Sequence, residues 1–326
     1  MQLVLDTKGI KLAKKNGIFH VSHGKKERNI SPQKLNSIAI TATVELHSDA
    51  IILAIQNQIP ILFFDRIGKA KARLWSPYFE SIATLRRNQV RFADSPEATA
   101  WMINIFELKT SAQLDNLRFL RKQKGLMSGK LNQAISSIKK YNQGFENFRG
   151  KLLEEVRNNM MGIEGAIART YWQALGGALP NTFRFKERSR RPAKDYFNAA
   201  LNYQYGMLYS VVEGALFAAG LDPYLGLLHV DDYRKPTLSF DMIEPIRPWV
   251  DRLLIDLCLS GELEKNFTTK NQYGIFFNKE GKAFIIPKFN EFLRSKRSYL
   301  GQESDVKNHI YTLMGRLAQR IRSVME

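Results

Sequence analysis

A chain of 326 residues is long enough for two domains, and 44% hydrophobic with 25% charged residues is an ordinary globular balance. Forty-nine lysines and arginines against thirty-one aspartates and glutamates leave a formal charge of +18. That excess draws a protein to polyanions, so nucleic acid is the first partner to expect. One cysteine, Cys258, excludes an internal disulfide and any cysteine-based zinc centre.

At the N-terminus, "MQLVLDTKGI" lacks the basic region and apolar stretch of a signal peptide, and no apolar run is long enough to span a bilayer. A cytoplasmic protein with no membrane partner is expected. Residues 1–76 read as β-rich: "LVLD", "IKLAK", "GIFHVSH", "LNSIAIT" and "PILFFD" are short, β-branched and bounded by turn formers. Between the last two, "ELHSDAIILAIQNQ" has helical apolar spacing and a capping start at "SDA". "GKAKARLWSP" alternates Lys69, Lys71 and Arg73 before Pro77, a pattern that protects an edge strand and also presents cations to phosphate.

Residues 77–84 read as a linker, and from 85 to 326 the pattern is mostly helical. A helix over 95–124 opens at "SPEA" with serine at the N-cap and proline at the first helical position. Further helices are expected over 152–175, 195–219 and 304–325. "YGIFFNKEGKAFIIPKF" reads as a β-hairpin turning at "NKEG". The expected fold class is therefore α+β, a small N-terminal β-sheet domain followed by a larger α-helical one.

Glu164, in "MMGIEGAIARTYW", shares a helix face with Ala168 and Tyr171 and is flanked by Gly162 and Gly165. Two glycines cost a helix about 1 kcal/mol each and leave room beside the carboxylate. Taken alone, the residue reads first as a solvated glutamate beside packing glycines. His229 ends the apolar run "YLGLL", as a metal ligand or as a core histidine with a satisfied hydrogen bond. Asp241 and Glu244 share a helical face, either as a capping pair or as two acids turned to one ion. Pro245 disfavours helical geometry at Glu244 and frees it to point elsewhere. One imidazole with two or three carboxylates suits Mg²⁺ or Mn²⁺, and such an ion activates hydroxyl nucleophiles at phosphodiesters.

"FRFKERSRRPAKD" gathers Arg184, Lys186, Arg188, Arg190, Arg191 and Lys194 around two phenylalanines, as a solvated loop or a phosphate clamp. The next helix carries a polar stripe of Asn198, Asn202, Tyr205 and Tyr209. With Tyr171 these groups either join packed helices or orient metal ligands from behind. His20 and His23 lie on opposite faces of one strand and cannot share a metal. No P-loop, GxGxxG or GxSxG motif is present.

The ordered motifs "GIEGAIARTYW", "RSRRPAKDYFNAALNYQYGMLY", "GLDPYLGLLH" and "LSFDMIEPIRPWVD" resemble the CRISPR-associated endonuclease/integrase, the catalytic subunit of the spacer-acquisition complex. "ATLRRNQVRFADSPEATAWMINIFELKTSAQLDNL" is similar to that family's Arg–Gln helix and the long helix after it. The resemblance spans nearly the whole chain. It implies a catalytic helical domain, a homodimer formed largely through the N-terminal halves, and two dimers around a small ferredoxin-like partner dimer, a heterohexamer. It places the metal ligands at Glu164, His229 and Glu244, with Asp241 as the accompanying catalytic acid. The implied reaction is attack by the 3′-hydroxyl of a double-stranded DNA fragment on a CRISPR repeat phosphodiester. With water as nucleophile the same site cleaves DNA. The family's usual Pro-Pro before the asparagine-rich helix is Pro192–Ala193 here, and Tyr196 and Phe197 stand where smaller residues are common. Two other readings are a repair nuclease for branched DNA and a non-catalytic nucleic-acid-binding scaffold.

Overall fold

A computed structural model describes residues 2–35, 37–57, 59–64, 70–74, 83–124, 129–190, 192–230, 232–233 and 235–325. By internal contacts the chain divides into two units, Met1–Ala83 and Thr84–Glu326. In the first, β1 (Gln2–Leu5) precedes a hairpin of β2 (Lys11–Lys15) and β3 (Ile18–His23). Asn16 and Gly17 form its two-residue turn at φ 51° and 76°, the left-handed pair that matches the twist of the flanking strands. β4 (Lys26–Ile30) adds to β3 as an edge. Its "KERNI" shows no alternation because only Ile30 is buried, so backbone pairing alone makes it a strand.

After β5 (Ser37–Ile40) and β6 (Glu45–Leu46) comes α1 (Ser48–Gln56), then β7 (Ile61–Phe64) and β8 (Ala70–Arg73). One sheet has the order β1-β5-β7-β8, the other β4-β3-β2-β6. β1, β5 and β7 run parallel, while β8 pairs antiparallel to β7 at the sheet edge. Leu5, Leu12, Phe19, Ile38, Ile61 and Ala54 meet in the core. The expected helix at "ELHSDAIILAIQNQ" is shorter than its pattern, because Glu45 and Leu46 pair with β2.

The second unit is built on α2 (Ala83–Ala93), α3 (Pro96–Lys124), α4 (Gly129–Gln143), α5 (Leu153–Ala178) and α6 (Tyr196–Ala218). A short α7 (Thr237–Met242) and α8 (Arg247–Leu259) follow. Pro96 opens α3, but the Ser95 hydroxyl donates back to Phe92 O at 2.7 Å, tying α2 to α3. α3 packs on α4, α5 and α8, and Met102, Phe106, Leu117, Met160, Ile167 and Leu254 are buried there. The α+β organisation expected from the sequence is the one observed.

The expected hairpin at "NKEG" is a correction. The strands are β9 (Thr268–Asn271) and β10 (Gly274–Phe277), and α9 (Lys279–Arg294) starts where the turn was expected. Asn278 is an N-cap, its side chain accepting from Gly281 N at 2.8 Å. Gly281 serves close packing, since a Cβ there would lie 2.3 Å from Phe267 O. Pro287 sits inside the helix and disguised it as an extended segment. The chain finishes with β11 (Lys296–Tyr299), β12 (Gln302–Asp305) and α10 (Val306–Met325). Among the described residues, no helix is long and apolar enough to cross a membrane.

Candidate metal centre and nucleic-acid interface

Lys109 lies on the buried stripe of α3, in register with Phe106, Gln113 and Asn116. An ammonium there needs anions, because an unpaired charge in the interior is strongly unfavourable. It finds two. The Lys109 Nζ donates to Glu164 Oε1, from α5, and lies 2.5 Å from Glu244 Oε2, from the turn between α7 and α8. Side-chain exposure is 7% at Lys109, 7% at Glu244 and 29% at Glu164, so Glu164 is the solvent-facing member. Gly162 and Gly165 beside it face open space, as the spacing suggested.

Arg247 closes the other side of Glu244, its Nη1 donating to Oε1 and its Nη2 to the Tyr209 hydroxyl. Its guanidinium lies 5.3 Å from the Tyr205 ring centroid and 5.6 Å from that of Tyr209. Burial would raise the pKa of Glu244, but Arg247 and Lys109 outweigh it and bring it down to about 2. Burial likewise opposes the charge on Lys109, and the two glutamates reverse that and push its pKa up.

His229 is held by a loop that is itself pinned from α2. Gln89, buried, donates to Asp222 O at 2.8 Å and Leu225 O at 3.1 Å and accepts from Asp222 N at 3.0 Å. At Gly226 the loop turns so tightly that a Cβ would lie 2.4 Å from His229 O. Asp241, fully buried, accepts from the amides of Leu227, Leu228 and His229 at 2.7, 3.1 and 3.2 Å. Its Oδ1 also holds His229 Nδ1 at 2.6 Å. A carboxylate only accepts, so Nδ1 carries the proton and Nε2 is the nitrogen left to bind a cation. The bond to Asp241 raises the His229 pKa against the opposing effect of burial. Asp241 therefore spends its oxygens on the loop and the imidazole, a positioning role.

The polar stripe divides three ways. Asn198 Oδ1 accepts from Arg188 Nη1 at 2.7 Å, and Asn202 Oδ1 from Arg188 Nη2 at 2.6 Å. Tyr205 and Tyr171 both donate to Asp251, at 2.5 and 2.9 Å, and Asn116 donates to the Tyr171 hydroxyl at 3.0 Å. Among the described hydrogen bonds of the stripe, only that of Tyr209 reaches the Glu244 cluster, through Arg247, against which Tyr205 places its ring. Asn198, Asn202, Tyr171 and Tyr205 thus make none of the described hydrogen bonds to Glu164, His229 or Glu244.

In the basic loop, Arg184, Lys186, Arg190 and Lys194 are exposed, with Lys194 paired to Glu187 at 3.0 Å. Arg188 turns inward over Trp172 and Tyr205, at 5.7 and 5.5 Å from the ring centroids, and fastens the loop to α6. Lys69 and Arg191 lie outside the described residues. Lys71 is exposed on β8, and of Arg73 only the backbone, paired with Leu62, is described.

Among the described residues, no three His, Asp or Glu side chains stand together as a ready metal cage. The expected trio of Glu164, His229 and Glu244 is drawn together only in part, because its two glutamates close on the Lys109 ammonium. The donor chemistry nevertheless fits a divalent ion: two carboxylates already share one cation, and a tautomer-fixed imidazole lies close enough to Glu244 for each to shift the other's titration. Sequence reasoning missed Lys109, Arg247, Asp251 and Gln89. Lys109 was detectable as a cation on an apolar stripe, and Arg247 as the i+3 partner of Glu244.

A family model described as CRISPR associated protein Cas1 matches residues 3–291. A CRISPR-associated endonuclease Cas1 of Archaeoglobus fulgidus is 28% identical over 314 residues, covering 93% of this chain and 91% of the relative. Among solved structures, a casposase bound to integration product superposes with a TM-score of 0.78 at 23% identity, over 99% of this chain and 90% of that one. A Cas6-RT-Cas1–Cas2 complex matches with a TM-score of 0.76 at 22% identity, over 99% of this chain and 35% of that one.

Proposed function

Since the chain belongs to the Cas1 family of CRISPR-associated proteins, we propose that it is a metal-dependent DNA endonuclease and integrase that inserts spacers into a CRISPR array. The observation that carries this reading is the convergence of Glu164 and Glu244 on one cation, with Glu244 within electrostatic reach of a histidine whose Nε2 is left to bind. Glu164, His229 and Glu244 would hold Mg²⁺ or Mn²⁺. When bound, such an ion polarises the phosphodiester and stabilises charge on the leaving oxygen. Arg247 keeps Glu244 ionised, Asp241 fixes the imidazole, and Gln89 anchors the loop that carries it. A DNA 3′-hydroxyl attacks the phosphorus at a repeat border; a new P–O bond forms as the bond to the leaving 3′-oxygen breaks. The proton given up by the attacking hydroxyl is matched by the one the leaving oxygen takes up as a new 3′-hydroxyl. Exposed Arg184, Lys186, Arg190 and Lys194 hold backbone phosphates, while Arg188, Asn198 and Asn202 keep the loop in shape.

The working form would be a cytoplasmic homodimer with a small ferredoxin-like partner in a heterohexamer. Support for a partner comes from the likeness to a chain of a complex that contains Cas2.

The test is strand transfer of a labelled duplex with 3′-hydroxyl ends into a supercoiled repeat-bearing plasmid, with and without the small partner, in Mn²⁺ or EDTA. Glu164→Ala and His229→Ala are expected to lower joining at least about 100-fold, the scale of losing one stabilising group in the transition state, with DNA binding retained. Nicking without joining would favour a repair nuclease. Binding unaffected by metal, with neither reaction, would leave a scaffold.

A further inference from the structure

The metal centre contains its own cation. Lys109 is a long, flexible side chain whose ammonium sits between the two glutamates, on the floor of the site. Its partners differ. Glu244 is sealed and also gripped by Arg247, whereas Glu164 is partly exposed, has open space around its flanking glycines and among the described residues pairs with the ammonium only. The third ligand, His229, has 37% of its side chain exposed and its Nδ1 already bound to Asp241. The open side of the site is thus formed by Glu164 and His229, and the closed side by Lys109, Glu244 and Arg247.

Two cations cannot occupy one pair of carboxylate oxygens without strong repulsion. Glu164 and Glu244 meet the two cations Lys109 and Arg247, while the third carboxylate, Asp241, is taken up by His229, so a divalent ion has to compete with the ammonium for Glu164 and Glu244 Oε2. We propose that Lys109 is a resident placeholder cation: a divalent ion binds by taking Glu164, and Glu244 Oε2, from the ammonium, which withdraws. The inference rests on the metal-dependent reading above and adds to it a built-in exchange. Metal-free protein keeps its glutamates ordered and paired, and the apparent metal affinity is set by competition with Lys109 as well as by the ligands. A binding-competent state that is only fractionally populated lowers apparent affinity by that fraction.

The experiment uses the full-length protein and Mn²⁺ alone. Free Mn²⁺ is followed by electron paramagnetic resonance during titration of wild type, Lys109→Met and His229→Ala. In parallel, Lys109 is labelled with a water-soluble amine acylating reagent and quantified by peptide mass spectrometry, in EDTA and in Mn²⁺. Lys109→Met is expected to bind Mn²⁺ at least about tenfold more tightly than wild type. In wild type, Mn²⁺ is expected to increase labelling of Lys109 several-fold, and in His229→Ala labelling stays at its EDTA level. Tighter binding in Lys109→Met without a rise in wild-type labelling means charge removal alone, and overturns the exchange. Equal affinities overturn it too, with the metal site intact. Absence of Mn²⁺ binding by wild type sinks both readings. The labelling arm needs no substitution at Lys109, so it stands if that variant fails to fold.

Discussion

Two carboxylates, one in the turn before α8 and one within its first turns, are both sealed from solvent, and they titrate in opposite directions. Glu244 is brought down to about 2 because two cations, Arg247 and Lys109, overcome its burial. Asp251 is pushed up to about 6 by burial, which the hydroxyls of Tyr205 and Tyr171 only partly offset. The difference shows that the partner, not the depth, fixes the charge of a buried acid. A carboxylate paired with full charges stays ionised and remains available to a metal. One paired with neutral hydroxyls serves as a hinge pin between helices α5, α6 and α8.

The largest effect expected from breaking this contrast is at Glu244. Glu244→Gln leaves Arg247 with the Tyr209 hydroxyl alone and Lys109 with Glu164 alone. Removing one partner of a buried ion pair typically costs about 3–5 kcal/mol. In metal-free buffer at pH 7 the thermal midpoint should fall by about 10 °C. A drop of only a degree or two would mean that Glu244 is not the anion that holds these cations.

Asp251→Asn should behave oppositely. The folded pKa of about 6 lies above the unfolded value of about 4, so the folded state binds the proton more tightly. The stability contributed by that proton is present below the unfolded pKa and is lost as pH rises through 6. Over those two pH units the wild type loses about 3 kcal/mol that the amide, which does not titrate, keeps. The variant should therefore gain on wild type between pH 4 and pH 7, measured as the difference in unfolding midpoints across a pH series. A difference that is flat with pH would show that Asp251 is ionised in the folded protein throughout.

The contrast between the two acids was only half legible in the sequence. Glu164, His229, Asp241 and Glu244 came forward as candidates through a carboxylate flanked by glycines, a lone histidine after an apolar run and a D-x-x-E before proline. Each had an ordinary reading, and it was the resemblance of the ordered motifs that joined them into one site. The groups that decide their charge did not stand out. Lys109 lies 55 residues from Glu164 along the chain, and the contact depends on how α3 packs on α5. Asp251 sits in "PWVD", where an aspartate on a helix reads as surface until the tyrosines opposite are placed. The strands fared similarly: "IKLAK" and "GIFHVSH" were legible as short strands, but the hairpin that Asn16 and Gly17 close between them was not read. "NKEG" misled because Gly281 meets a need for close approach to Phe267 that only the folded chain reveals.

The smallest effects sharpen the comparison best, because two tyrosines on α6 serve the two acids separately. Tyr205 donates to Asp251, and Tyr209 accepts from Arg247, the partner of Glu244. Tyr205→Phe keeps the ring and removes a donor that stabilises the ionised acid, so the folded pKa of Asp251 rises further. Its cost should be about 1–2 kcal/mol at pH 8, where the carboxylate is ionised, and should shrink towards pH 4.5, where the proton supplies what the donor did. Tyr209→Phe removes an acceptor from a guanidinium that is charged at both values, so its cost of about 1 kcal/mol should not change with pH. Chemical denaturation of both variants at pH 8 and pH 4.5, each against wild type at the same pH, separates the two. A pH-dependent loss at Tyr209, or a pH-independent one at Tyr205, would mean that the two acids share one network, and neutralising Asp251 would then alter the metal ligands as well.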